Sequence, residues 1–250
     1  MLDYRLKRVE SVEEGVIRLL TVRDLPVPEF KIAMRGEGEY SDTLIYGGKE
    51  IPLHNWRHEP RINRMHGYGS TEPDNNNCVN TYSFVGSDLP LDCLIYKEVD
   101  VAEYLLGSPI VKVTAFLNGN ACNLLAKTAK GTVAGLELGA TMAPGTIPQF
   151  GHRLITGHGM ATDRTVNTLV EQSGVYLYKS DDPRPYEYND GEYYLFGLTA
   201  EECRTATLVQ GIIKGEVDGD ALIRDREHLL RVLAAVYRSS EEKRSVEVEL

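Results

Sequence analysis

Along most of the chain apolar residues recur at every second position, the period of a strand with one buried face. Residues 4–12 alternate, Glu13-Glu14-Gly15 reads as a turn and residues 16–23 as the returning strand, so a hairpin is predicted at the start. Short strands are predicted near residues 30–34 and 43–46. Residues 47–90 lose the pattern and read as one long irregular segment rich in Gly, Asn, His and Arg, of the kind that carries function in a compact domain. The helical period first appears over residues 92–106, where Leu94, Val101, Tyr104 and Leu105 share a face and Gly107 and Pro109 end it. Strands then return at residues 110–117, 121–127, 132–138, 152–156, 165–172 and 175–178, with Asn118-Gly119-Asn120 as a hairpin turn. Residues 199–214 open on a capping box, Thr199-Ala-Glu-Glu202, and residues 226–238 gather Leu229, Leu230, Leu233, Ala234 and Tyr237 on one face, giving two more helices. Residues 245–250 alternate again.

Strands gathered in one block with few helices predict a single α+β domain over residues 1–250, a large and mostly antiparallel sheet with helices on one face. The other face must be solvated or covered by a partner. Its rows in 111–116 and 132–138 are of mixed polarity, which favours a homo-oligomer joined through this open face.

Charge and composition narrow the function. Asp and Glu number 37 against 27 Lys and Arg, a formal net charge of −10, which excludes a nucleic-acid partner because that interaction needs a basic stripe. The first 20 residues hold no apolar core of a signal peptide, and no apolar run is long enough to span a bilayer; a cytoplasmic protein with no membrane partner is expected. Cys78, Cys93, Cys122 and Cys203 show no Cys-x-x-Cys spacing, so reduced thiols are expected. His54 and His58 are four apart, but Pro52 and Pro60 bracket them and disfavour a regular helix, so no metal site is expected. A dinucleotide fingerprint needs three glycines between a strand and a helix. The strings Gly36-Glu-Gly38, Gly67-Tyr-Gly69 and Gly157-His-Gly159 each lack the third, and no cofactor is expected to bind this chain by itself. Without a Gly-x-Ser-x-Gly elbow, nucleophilic hydrolysis has no support.

The string Leu91-Asp-Cys-Leu-Ile-Tyr-Lys-Glu-Val-Asp-Val-Ala-Glu-Tyr-Leu-Leu-Gly107 resembles the signature of the Gfo/Idh/MocA oxidoreductases, an Asp-x-x-x-His-x-x-Asp run leading into Tyr-Leu-Leu-Gly. Similarity continues through Asn118-Gly119, the run from Ile155 to Asp163, and the run from Leu229 to Ser239, so that it covers residues 92–250. The resemblance is to the C-terminal substrate and oligomerisation domain of that family. It implies a sugar or polyol ligand, with NAD(P) entering only through a partner subunit that carries a Rossmann domain.

The departures from the signature define the candidate site. Counting back from Gly107, Asp100 falls on the second Asp, Lys97 on the catalytic His and Cys93 on the first Asp. Lys97 and Asp100 are therefore the catalytic candidates, and Cys93 a substrate-side one. Lysine replaces histidine as a base only where burial or a neighbouring cation lowers its pKa, whereas an Asp three residues on shares its helix face and can pair with it, holding it charged. Upstream, Trp56-Arg57 resembles a dipeptide that lines the family's substrate cleft, and His54, Trp56, Arg57 and His58 supply the aromatic face and donors that a sugar requires. The Asn run 75–77 offers further hydroxyl partners or a turn. His158 is expected at an exposed turn, and His152 on either sheet face. Three functions follow: a sugar-recognising protein working with a nucleotide-binding subunit or as an oligomer; a cofactor-independent lyase, epimerase or isomerase; and a non-catalytic assembly or regulatory subunit.

Overall fold

The computed structural model describes residues 9–70, 77–163, 175–180, 182–188 and 196–249. In chain order the helices are α1 (Val12–Val22), α2 (Pro60–Ser70), α3 (Leu91–Leu106), α4 (Ala200–Ile213) and α5 (Gly219–Glu242). The strands are β1 (Phe30–Ala33), β2 (Thr43–Tyr46), β3 (Lys49–Pro52), β4 (Cys78–Gly86), β5 (Ile110–Asn118), β6 (Ala121–Thr128), β7 (Val133–Met142), β8 (Gln149–Thr156), β9 (Gly159–Thr162), β10 (Val175–Lys179), β11 (Asp182–Tyr188) and β12 (Val246–Glu247). The chain forms two compact units, residues 1–59 with 191–227 and residues 60–190 with 228–250. No helix among the described residues is long and apolar enough to cross a membrane.

In the first unit β1, β2 and β3 form a three-stranded antiparallel sheet in that order, with Gly47 and Gly48 both at positive φ in the two-residue turn between β2 and β3. Residues 16–22 of the predicted return strand are instead part of α1, with Arg23 as its C-cap. A short apolar run fits either period, and the cap decides. Ser11 Oγ accepts from Glu14 N at 3.2 Å, Glu14 Oε2 accepts from Glu10 N at 2.8 Å, and the helix then buries Val16, Leu19 and Leu20 on one side. The other half of that hairpin, residues 4–8, lies outside the described residues. Leu44, Leu53 and Val209 complete this core.

The irregular segment expected over 47–90 holds β3, a 3₁₀ turn at Asn55–His58, α2 and β4. Pro60 at the first helical position, with Ile62, Met65 and Gly69 buried, accounts for α2. β4 escapes a hydropathy reading because its buried row includes Thr81 and Ser83 beside Val79.

The second unit is a nine-stranded sheet in the order β11-β10-β9-β8-β4-β7-β6-β5-β12, antiparallel except for the β4–β7 pair. This is the mostly antiparallel α+β architecture that the sequence predicts. One face carries the buried rows, such as Ala134, Leu136 and Leu138 of β7 and Leu154 of β8, against which α2 and α3 pack. The opposite face leaves Phe116, Leu125 and Val133 exposed. α3 ends as predicted, with Gly107 at φ +57 and its N–H bonded to Tyr104 O. β9 is not predicted and pairs with β8 across the turn Gly157-His158, where His158 is exposed as expected. The strand predicted at 165–172 lies outside the described residues. At the far edge Val246 pairs with Val113, which sets the C-terminal strand on β5.

Candidate functional site

The second unit holds a charged chain of four side chains, three of them buried. On α3 the apolar stripe through Leu94, Val101 and Leu105 is interrupted by Glu98, whose side chain is fully buried. It meets His152, which β8 points toward the helices in the same row as Leu154. Glu98 Oε2 lies 2.9 Å from His152 Nε2, and Asp163, just past β9, places Oδ2 2.8 Å from His152 Nδ1. Asp163 also accepts the His152 backbone N–H through Oδ1 at 2.6 Å, so one carboxylate fixes both ring and strand. With an acceptor at each nitrogen the ring donates twice, the pattern of an imidazolium. Burial alone would lower the His152 pKa, but Asp163 and then Glu98 outweigh it and raise it to about 10. Burial would likewise raise both acids, yet Lys97, His152 and the Ser83 hydroxyl hold Glu98 below its ordinary range, and His152 and Arg61 do so for Asp163.

Lys97 is the end of this chain that reaches solvent. Its side chain is 40% exposed, and Nζ lies 3.7 Å from Glu98 Oε1. Two carboxylates, one imidazolium and one ammonium sum to zero charge, the condition under which buried charge is tolerated. The pairing of Lys97 with Asp100 open to the sequence is not what forms: the lysine pairs with its neighbour Glu98, and Asp100 is fully buried. Residues three apart on a helix still differ by about 60° in direction, enough to send one out and one in. Asp100 faces a second buried cluster, in which Glu103 accepts Ile110 N at 2.6 Å and His228 Nε2–H at 2.8 Å. Burial raises the Glu103 pKa, and Asp100 adds to that rise. Cys93, one turn before Lys97, is half-buried.

The other sequence candidates lie in the first unit. The His54 ring stacks on Trp56 at 5.1 Å and 15°. Arg57 Nη1 is paired with Asp225 at 2.7 Å, and burial, with Arg57 beside it, lowers the His58 pKa, keeping that ring neutral at pH 7. Of the four, only Trp56 lines a cavity of about 430 Å³ in this unit, together with Asn55. The open sheet face of the second unit carries a trough of about 470 Å³ bordered by Tyr82, Phe116, Leu125, Glu137 and Arg153.

Sequence reasoning missed Glu98, His152 and Asp163 as a set. The available signal was Glu98 itself, a charge in the middle of an apolar helical stripe. Its partners lie 54 residues from it in one case and 11 residues further on in the other. Among the described residues no group of three or more His, Cys, Asp or Glu is arranged to hold a metal ion. The three Gly-x-Gly strings do not form a dinucleotide turn. Gly36 and Gly38 lie in the loop between β1 and β2, Gly67 and Gly69 inside α2, and Gly157 and Gly159 at the β8–β9 turn, none of them between a parallel strand and a helix N-terminus.

No protein-family model matches the sequence, and no curated protein matches it. Solved structures do. Levoglucosan dehydrogenase in complex with NADH and levoglucosan is 14% identical, with a TM-score of 0.62 over 79% of this chain and 65% of that one. An oxidoreductase domain protein from Kribbella flavida is 16% identical, with a TM-score of 0.61 and the same coverage, 79% and 65%. The fold is that of these oxidoreductases. An oxidoreductase from Agrobacterium radiobacter, in complex with NAD+, L-tartaric acid and magnesium, extends the likeness to 96% of this chain and 70% of that one at 12% identity and a TM-score of 0.61. The chain thus spans less than two thirds of the length of levoglucosan dehydrogenase, and the likeness is one of fold.

Proposed function

We propose that this chain recognises a sugar or polyol as the substrate part of a dehydrogenase-type assembly, presenting Lys97 to the ligand. The observation that carries this reading is the braced lysine. Lys97 occupies the position that the sequence resemblance aligns with a catalytic histidine, its ammonium reaches solvent, and the Glu98–His152–Asp163 chain behind it is buried. Held against the Glu98 carboxylate, the ammonium serves as a hydrogen-bond donor and cation toward a ligand hydroxyl or developing alkoxide. Levoglucosan dehydrogenase, whose fold is similar, is known in complex with NADH and levoglucosan, which supports the ligand class. A nicotinamide cofactor would supply the hydride acceptor, and in this proposal a separate Rossmann-domain subunit carries it. The open sheet face is proposed to join copies of the chain.

A second reading, a binding subunit with no chemistry of its own, is favoured by one observation: both carboxylates beside His152 are fully buried and bonded to that ring, away from any ligand in solvent. A thermal-shift and calorimetric panel of sugars, polyols and NAD(H) against the purified chain tests both. A sugar is expected to bind and NAD(H) alone is not. Lys97→Ala should weaken the sugar by about 5- to 150-fold with little change in melting temperature. Lys112→Ala, which removes an exposed pair with Glu247 at 2.8 Å, should leave binding unchanged. Unaltered affinity in Lys97→Ala would remove the proposal.

A further inference from the structure

The cavity of the first unit has a chemistry of its own, independent of the Lys97 reading. It lies between the β1–β2 loop, the 3₁₀ turn and the start of α4, and its volume of about 430 Å³ is that of a small-molecule site. Its lining is unusually polar for such a site. Asn55, 7% exposed, donates its amide N–H to Thr205 Oγ1 at 2.8 Å, and its carbonyl Oδ1 accepts no hydrogen bond among the described residues. Ser41, 9% exposed, also lines the cavity, and its hydroxyl makes no bond among the described residues. Both residues are more than nine-tenths buried and line the cavity, so their unpaired oxygens are polar groups that a ligand or solvent in the cavity can bond. Thr205, which accepts from Asn55, still has its own proton to donate. Trp56 supplies an aromatic surface on the same wall.

The remaining polar lining decides the class of ligand. Three carboxylates, Asp42, Glu201 and Glu202, stand against one guanidinium, Arg35. Asp42 spends Oδ1 on the Arg35 backbone N–H at 2.8 Å, and Glu202 spends Oε2 on Thr199 N at 2.7 Å, so each keeps an oxygen available, and Glu201 is exposed with no bond of its own among the described residues. A lining rich in acceptors and net negative matches a molecule rich in donors and positively charged; it repels phosphates and carboxylates. We infer that this cavity binds a small polyhydroxylated amine, of the amino-sugar type, with its hydroxyls on Ser41, Asn55 and Thr205, its ammonium toward Asp42 and Glu201, and its C–H face against Trp56.

Calorimetry on the whole chain at pH 7 with glucosamine, glucose and glucuronate tests the inference. Glucosamine should bind saturably, glucose more weakly and glucuronate not at all. The double variant Asp42→Asn, Glu201→Gln keeps the acceptor that Asp42 offers to Arg35 N, so it should fold with an unchanged melting temperature. Its glucosamine affinity should drop by about 10- to 150-fold while glucose binding stays close to that of the parent chain. Lys112→Ala, outside both proposed sites, should leave glucosamine binding intact. The inference is overturned by an absence of saturable glucosamine binding at millimolar concentration, by equal affinity for glucose and glucosamine, or by a double variant that binds as the parent does.

Discussion

Replacing His152 by glutamine is the most searching perturbation of the buried charge chain. The substitution removes the imidazolium and leaves Glu98 and Asp163 facing each other's field in the interior, with Lys97 near the first and Arg61 near the second as cations among the described residues. Breaking a buried ion pair by removing one member costs about 3 to 5 kcal/mol, which for a chain of this length lowers the melting temperature by about 6 to 20 °C. The parent protein carries the same information in its pH profile. Folded, His152 keeps its proton up to about pH 10; unfolded, it gives the proton up near 6.5. Between those values the folded state binds one proton more than the unfolded state, so stability falls as pH rises, by about 1.4 kcal/mol per unit. On the acid side Glu98 and Asp163 have lowered pKa values, so their contribution is present above the ordinary carboxylate range and is lost as pH falls through their folded values. Urea and thermal melts of the parent and His152→Gln at several pH values from mildly acid to about pH 9 read both effects. A decline above pH 6.5 that disappears in His152→Gln is expected. A parent profile that is flat over that window, with a variant melting within about 2 °C of it, would refute the buried imidazolium.

Gly159 sits at φ +155, and a Cβ there would lie 1.9 Å from the Tyr178 carbonyl oxygen, so Gly159→Ala should cost more than about 3 kcal/mol or abolish folding, as seen by circular dichroism; a near-neutral variant would contradict the β8–β9–β10 packing. Phe116 and Leu125 are each 65% exposed on the open sheet face, and if that face joins two copies, light scattering should show at least a dimer that Leu125→Asp converts to monomer; a parent protein that is monomeric at high micromolar concentration would count against the interface.

α3 was legible in the sequence because its period, its glycine stop and the following proline all point the same way. β5, β6 and β7 were legible for a similar reason: β6 alternates throughout, β5 and β7 do so over much of their length, and Gly119 at φ +57 closes the turn between β5 and β6. α1 was misread because residues 16–20 suit both periods and the deciding signal, Ser11 with Glu14 three residues on, is a cap and not a hydropathy pattern. β9 is four residues long and begins with glycine, too short for a period to show. Within the site, Lys97 and Asp100 could be named from the helix alone, but their fates depend on which side of α3 meets the sheet. The partners of His152 could not be paired in advance, because the ring's environment is assembled from α3, β8 and the residue after β9.

The position of β4 has a consequence for how the second unit folds. β7 and β8 follow one another in the chain, yet in the sheet β4 lies between them, parallel to the first and antiparallel to the second. A nascent chain that makes β7 and β8 while β4 is unattached has every local incentive to close them as an ordinary hairpin, which would shut β4 out. Productive folding must hold that gap open across the intervening α3, β5 and β6, a non-local closure of the kind that slows folding. A β7–β8 hairpin would exclude β4 from this topology, and in the folded sheet the Glu98–His152 bond ties α3 to β8, one of the two strands that β4 separates.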